Sequence, residues 1–247
     1  MDSSIVNHLL EINHQFYQNF AQSFSQTRQR VQPGVRHLLG TYPRHLCLLD
    51  IGCGNGDLAK ALIEEGFSGT YLGVDFSAPL LEAAPRPNPE TNLMVDFRTA
   101  NLAGDAWEEK LAPSSFDIIT AFAVLHHLPG KELRVRVVRQ IAALLKSQGI
   151  FCHSEWQFMN SPRLAARVLP WETAGLSSTQ VDPGDMLLDW RASTAGETGE
   201  PGLRYVHLFT EAELAELAKV CGMRIRETFY SDGHEGNLGL YQVWQHV

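Results

Sequence analysis

Two adjacent histidines, His126-His127, close the apolar run FDIITAFAVL, and an arginine, Arg28, ends the stretch FSQTR near the start of the chain. An imidazole can take a proton from a hydroxyl, phenol or amine at neutral pH. A guanidinium can hold a carboxylate or phosphate through two parallel hydrogen bonds. Neighbouring side chains diverge, so one of His126 and His127 is expected to face a substrate. Between Arg28 and the histidines lies LLDIGCGNGDLAKAL, where an apolar run meets Gly52-x-Gly54-x-Gly56 and then a helical pattern. Glycines at a strand-to-helix turn let the backbone bend sharply and approach a ligand, and the helix start offers free N–H groups. A dinucleotide is disfavoured, because the third glycine of its fingerprint falls on Asp57, whose carboxylate would repel a pyrophosphate. A phosphate loop is excluded, since no Gly-Lys-Ser/Thr follows.

These groups need a scaffold. LCLLD (46–50), TYLGVD (70–75), NLMVDFRTA (92–100), FDIITAFA (116–123) and GIFCHSE (149–155) read as strands, and helices over 57–66, from Ser77 and over 130–146 alternate with them. The pattern predicts an α/β, Rossmann-like fold: a seven-stranded, mostly parallel sheet with helices on both faces. FTEAELAELAKVCG (209–222) reads as a helix capped by Thr210 with Glu213 three residues on, and MRIRETFYSD and NLGLYQVWQH as a closing antiparallel hairpin. At the other end, Ile5, Leu9, Ile12, Phe16 and Phe20 predict a helix over 5–25, followed after Pro33-Gly34 by a short one. The stretch 156–203 breaks the alternation and reads as an inserted cap, since so long a connection inside a domain is usually functional. The expected parts are a helical lid at 1–45, a core at 46–155, the cap at 156–203 and the C-terminal part of the core at 204–247.

The 247 residues carry a net charge of −8. No run of about 18 apolar residues is present, so no transmembrane helix is expected. The N-terminus lacks the basic start and apolar run of a signal peptide. Four cysteines without C-x-x-C spacing argue against structural zinc and fit a reducing, cytoplasmic setting, with no metal and no membrane. The acidic balance is unfavourable for RNA. Its distribution softens this, because residues 131–146 hold five Lys or Arg against one acid. Lys131 and Arg134 are expected on the outer face of that helix, toward solvent or RNA.

Asp50-x-Gly52-x-Gly54-x-Gly56 is similar to motif I of class I S-adenosylmethionine-dependent methyltransferases. The resemblance implies a cofactor site of Asp50, Gly52, Cys53, Gly54 and Gly56. It further implies Asp75 on the ribose hydroxyls, Phe76 on the adenine, and Asn101 with Leu102 at the adenine edge. AFAVLHHLP, from Ala121, resembles motif IV, where the chain passes the methyl donor. Three further segments resemble the tRNA wobble-uridine carboxymethyl methyltransferases: INHQFYQNFAQSFSQTRQRVQPGV, VLHHLPGKELRVRVVRQIAALLK and PGDMLLDWR…LRYVHLFTEAELAEL. That resemblance implies tRNA carboxyl-O-methylation and a small activating protein subunit. Arg28 would grip an anionic group of the substrate or the cofactor's carboxylate, and Tyr17 would belong to the lid. Trp156, at the end of the fifth strand, would wall the acceptor pocket. Tyr205 and His207 alternate along a strand and share a face, and would line that pocket with Trp190 and Arg191. Two alternatives stay open. One is a small-molecule O- or N-methyltransferase with His126 or His127 as base, and the other a catalytically silent protein that binds the cofactor or a partner.

Overall fold

The computed structural model describes residues 1–26, 31–85, 90–104, 106–190 and 202–246, and for 20–26 the backbone alone. The opening helix is α1 (Ser3–Gln26), whose Leu9, Ile12 and Phe16 recur at helical spacing and are buried. Pro33 begins α2 (Pro33–Leu39), at a position whose N–H would have had no intrahelical partner. The expected alternation follows: β1 (His45–Ile51), α3 (Asp57–Glu64), β2 (Ser68–Asp75), α4 (Ala78–Glu82), β3 (Leu93–Thr99) and β4 (Phe116–Phe122). A single 3-10 turn at Leu125–His127 leads to α5 (Lys131–Leu144) and β5 (Leu145–Trp156). β5 starts earlier than the strand expected from 149. Leu145 already pairs with Phe116, and a register irregularity with Gln148 at φ 64° absorbs the extra residues.

The sheet order is β3-β2-β1-β4-β5-β10-β9, with β9 (Met223–Ser231) and β10 (Gly239–His246) closing the chain. β1 to β5 run parallel, and β10 is antiparallel to both β5 and β9. Because the order reverses between β1 and β4, a crevice opens at the carboxyl ends of those strands. The central strands β1, β4 and β5 are buried on both faces over most of their length, which is why they read as near-continuous apolar runs. Leu49, Ile119 and Phe151 pack against Val137, Val138 and Ile141 of α5. Their neighbours of opposite parity, Leu48, Ile118 and Cys152, meet Leu38 of α2 and Leu58 and Leu62 of α3.

The interruption after β5 holds α6 (Pro162–Ala165), β6 (Val168–Leu169) and β7 (Asp185–Trp190), and β7 pairs with β8 (Gly202–His207). The boundary drawn at 203 therefore cuts a strand, since β6, β7 and β8 form a separate antiparallel sheet. α1 packs on it, Leu9 and Ile12 joining Leu187 and Tyr205 in one apolar cluster. No helix among the described residues is long and apolar enough to cross a membrane.

The last helix, α7 (Glu211–Val220), starts at Thr210, whose hydroxyl accepts the Glu213 N–H at 3.2 Å. The Glu213 carboxylate does not complete a reciprocal cap. It turns to His207 at 2.8 Å and lies 3.6 Å from Arg134. This corrects the reading of α5. Arg134 is buried rather than outward, donating to the Leu128 carbonyl at 3.1 Å with its guanidinium 5.3 Å over the Phe209 ring. Those partners offset the desolvation of the charge, which a helix-wheel reading does not reveal.

Candidate active site

The glycine loop joins β1 to α3 and is tied to β2. Gly52 and Cys53 donate to the Val74 carbonyl at 2.7 and 3.1 Å, and Gly54 donates to Asp75 Oδ2 at 2.9 Å. Asp75 Oδ1 accepts from the Ser77 N–H at 2.8 Å. Burial raises the Asp75 pKa, and these backbone bonds oppose that rise. Gly52 has φ 67°, and a Cβ there would lie 2.5 Å from Val124 Cγ2. Gly54 has φ 55°, and a Cβ there would meet no described atom within 4 Å, so this face of the loop is open to a ligand. Asp50 accepts from Tyr71 and Thr120 hydroxyls, both at 2.6 Å, and pins β1 between its neighbours. Burial lifts its pKa to about 6 against the effect of those two hydroxyls.

Two cavities flank this loop. The first, about 440 Å³, is lined by Asp75, Phe76, Asn101 and Leu102 at the strand ends and by His14 and Tyr17 of α1. An acid pinned at the end of β2, an aromatic beside it and an open glycine turn fit an adenosine with a free ribose diol. Asn101 Oδ1 already accepts from the Ala103 N–H at 3.0 Å, which orients the amide. The second cavity, about 430 Å³, includes Cys53, Asp57, His126, Glu155, Trp156 and Arg204 in its lining. Gly52, Gly54, Phe122, Ala123 and His127 border both, so the two spaces meet at the loop and the 3-10 turn.

The two histidines are fixed differently. His127 Nδ1 lies 3.2 Å from the Tyr205 carbonyl, which can only accept, so Nδ1 carries hydrogen. In the neutral ring Nε2 then accepts, and the Tyr17 hydroxyl meets it at 2.9 Å. Asn13 secures the same junction, donating to the His127 carbonyl at 3.3 Å and accepting the Tyr205 N–H at 2.9 Å. His126 is almost wholly buried against Glu155, 3.1 Å from Nδ1 to Oε2.

Arg204 sits in the second cavity wall. It is 5% exposed, with its guanidinium carbon 4.6 Å above the Trp156 ring and 5.2 Å from the Phe16 ring. Among the described residues of this lining, Arg204 is the one Arg or Lys.

The structure thus gathers Gly52, Gly54, Asp75, Phe76, Asn101, Leu102, Tyr17 and His127 around the first cavity, and Asp50, Cys53, His126 and Trp156 around the second. Gly56 is the left-handed turn before α3, φ 74°, and Ala121 is buried within β4. Trp190 packs edge-on to Phe16, 5.8 Å between ring centres, in the cluster under α1. Tyr205 and His207 need correction. They do share a face, but it is the interior one: both are buried and bond to Asp185 Oδ1, at 2.6 and 2.7 Å. Neither lines either cavity. Arg28 and Arg191 lie outside the described residues. Arg204, Glu155 and Asn13 are site residues that the sequence reading misses. The signal for Arg204 is strand parity, since residue 204 must face opposite to 205 and 207.

Known proteins share this fold and family. A family model described as a methyltransferase domain matches residues 23–228. The tRNA (carboxymethyluridine(34)-5-O)-methyltransferase of Saccharomyces cerevisiae is 32% identical over 145 residues, 58% of this chain and 48% of that protein. The ubiquinone biosynthesis O-methyltransferase of Actinobacillus pleuropneumoniae is 30% identical over 108 residues, 43% of this chain and 44% of that one. The match therefore spans about half or less of either curated relative's length. Among solved structures, a SAM-dependent methyltransferase from Methanosarcina mazei superposes with a TM-score of 0.64 at 23% identity, covering 88% of this chain and 99% of that one. The last likeness is one of fold.

Proposed function

The chain belongs to the methyltransferase-domain family, and on that premise we propose that it methylates the carboxylate of a 5-carboxymethyluridine in tRNA, using S-adenosylmethionine. Arg204 carries this reading. A buried guanidinium between two aromatic rings, lining the cavity beside the cofactor loop, suits a planar anion held through two hydrogen bonds. The relatives support a choice between RNA and small acceptors without making it.

When bound, S-adenosylmethionine supplies a methyl group on a sulfonium: the acceptor oxygen forms the new O–C bond, the S–C electron pair goes to sulfur, and a carboxylate acceptor releases no proton. Since a carboxylate with a pKa near 4 is already ionised, the protein's task is alignment and exclusion of water. Asp75, Phe76 and Asn101 would hold the adenosine, His14 and Tyr17 roof that cavity, and Arg204 would orient the acceptor oxygen.

Steady-state kinetics on tRNA carrying 5-carboxymethyluridine test the reading. Arg204→Ala should lower kcat/KM about a hundredfold, roughly the worth of two charge-assisted hydrogen bonds, and Arg204→Lys should recover part of it. An Arg204→Ala protein that folds, binds S-adenosylhomocysteine and turns over normally would contradict it.

One observation favours a second reading, a hydroxyl acceptor. The Tyr17 hydroxyl bonded to His127 Nε2 could pass a substrate proton onward, the phenol giving its own hydrogen to the ring as it receives the acceptor's.

A further inference from the structure

Glu155, near the end of β5, is buried between two imidazoles. Oε1 lies 2.9 Å from His153 Nδ1. Oε2 accepts the His126 backbone N–H at 3.1 Å and lies 3.1 Å from His126 Nδ1. A fourth contact decides where the hydrogens are. The backbone N–H of Trp156, which can only donate, points at His126 Nδ1 at 3.3 Å. A ring nitrogen that accepts carries a lone pair, so the neutral ring has its hydrogen on Nε2. An ionised Oε2 facing that lone pair would set two acceptors against each other with no hydrogen between them. A protonated Oε2 turns the same contact into O–H···N.

We infer that Glu155 is kept as a neutral acid that donates to His126 Nδ1, so that His126 serves the acceptor cavity, whose lining also includes Arg204, as an Nε2–H donor that selects an anionic oxygen. This rests on reading the second cavity as the acceptor site. Glu155 is a positioning residue here, because it acts through His126. The neighbours are consistent. Burial pushes the Glu155 acid well above its usual range, partly opposed by the His126 N–H and the Arg134 charge and reinforced by Glu213. Burial drops His153 to about 3, so that ring is neutral and its Nδ1–H can donate to Oε1. His153 Nε2 has no hydrogen-bond partner among the described residues, as suits a lone pair on a ring packed between Phe151 and Trp244. Adjacent histidines thus present opposite polarity: His127 donates through Nδ1 and accepts through Nε2, while His126 does the reverse.

The direct test is long-range proton–nitrogen correlation NMR on the full chain with ¹⁵N-histidine and bound S-adenosylhomocysteine, assigned with His126→Gln and His127→Gln. The expected spectrum shows His126 protonated at Nε2 alone and His127 at Nδ1 alone, between about pH 6 and 8. A His126 ring protonated at Nδ1, alone or as imidazolium, overturns the inference. Infrared difference spectra should show a protonated-carboxyl band that Glu155→Gln removes, and its absence from the wild-type protein would likewise overturn it. With 5-carboxymethyluridine nucleoside as acceptor, His126→Leu should raise KM about tenfold, and His126→Gln, which keeps an N–H at the Nε2 position, should restore most of the loss. The spectra need no turnover, so they decide the proton positions whichever acceptor the enzyme proves to use.

Discussion

The Tyr17 phenol donates to His127 Nε2 at 2.9 Å, joining α1 to the turn after β4 across 110 residues of chain. The bond closes one side of the first cavity, because both residues line it and Asn13, one helical turn earlier, holds the same turn.

Removing that hydroxyl separates the two readings of the site. With a carboxylate acceptor, Tyr17→Phe should weaken S-adenosylhomocysteine binding about fivefold, near the worth of one hydrogen bond, and lower kcat by less than tenfold. With a hydroxyl acceptor the pair is the general base, and the loss should reach roughly 10²–10⁴-fold with a changed acidic limb in the pH profile. Calorimetry and pH–rate profiles on the same variant read both outcomes.

The glycine loop should tolerate no side chain at its first position. Gly52→Ala places a Cβ at φ 67° and 2.5 Å from Val124 Cγ2, so backbone strain and overpacking together should cost about 2–4 kcal/mol in urea unfolding. Adding Val124→Ala should relieve the clash but not the strain. A cost under about 0.5 kcal/mol for Gly52→Ala would show that the loop is shaped otherwise.

The network beneath the cap should give stability a defined pH window. Burial works against charge on His207, but its bonds to Asp185 and Glu213 prevail and raise its pKa. That contribution is complete below the ordinary value near 6.5 and is lost as pH rises through the elevated one. Burial likewise opposes charge on Glu213, and the His207 bond and charge, with Arg134, outweigh it and lower its pKa. That contribution is complete above about 4.5 and is lost as pH falls through the lowered value. The stability difference between wild type and His207→Asn should therefore be largest between about pH 4.5 and 6.5 and shrink on both sides. A difference constant from pH 4 to about 9 would refute the network's ionic character.

β1 and β2 are legible in the sequence because each is a largely apolar run ended by a glycine or an acid, Gly52 after β1 and Asp75 at the end of β2. The contacts that build the site are not. Tyr17 and His127 meet only after β8 and α1 have packed, and no local pattern encodes that distance. β8 reads as a strand, but its pattern suggests the wrong face for the cavity: Tyr205 and His207 satisfy Asp185, while Arg204, of opposite parity, reaches the aromatic rings. A shift of one residue flips every side chain, and only the position of the sheet above decides which set turns outward. Arg134 misleads for a related reason, since its carboxylate and carbonyl partners come from outside its own helix.

The measurement that tests the account most directly supplies the protein with methyl-labelled S-adenosylmethionine and tRNA carrying 5-carboxymethyluridine, then treats the product with mild alkali. The account predicts label in the tRNA, released as methanol by the alkali because it sits in an ester, and sharply reduced with Arg204→Ala. Label that survives alkali, or that enters only small hydroxyl compounds, would contradict it and shift the chemistry to Tyr17 and His127.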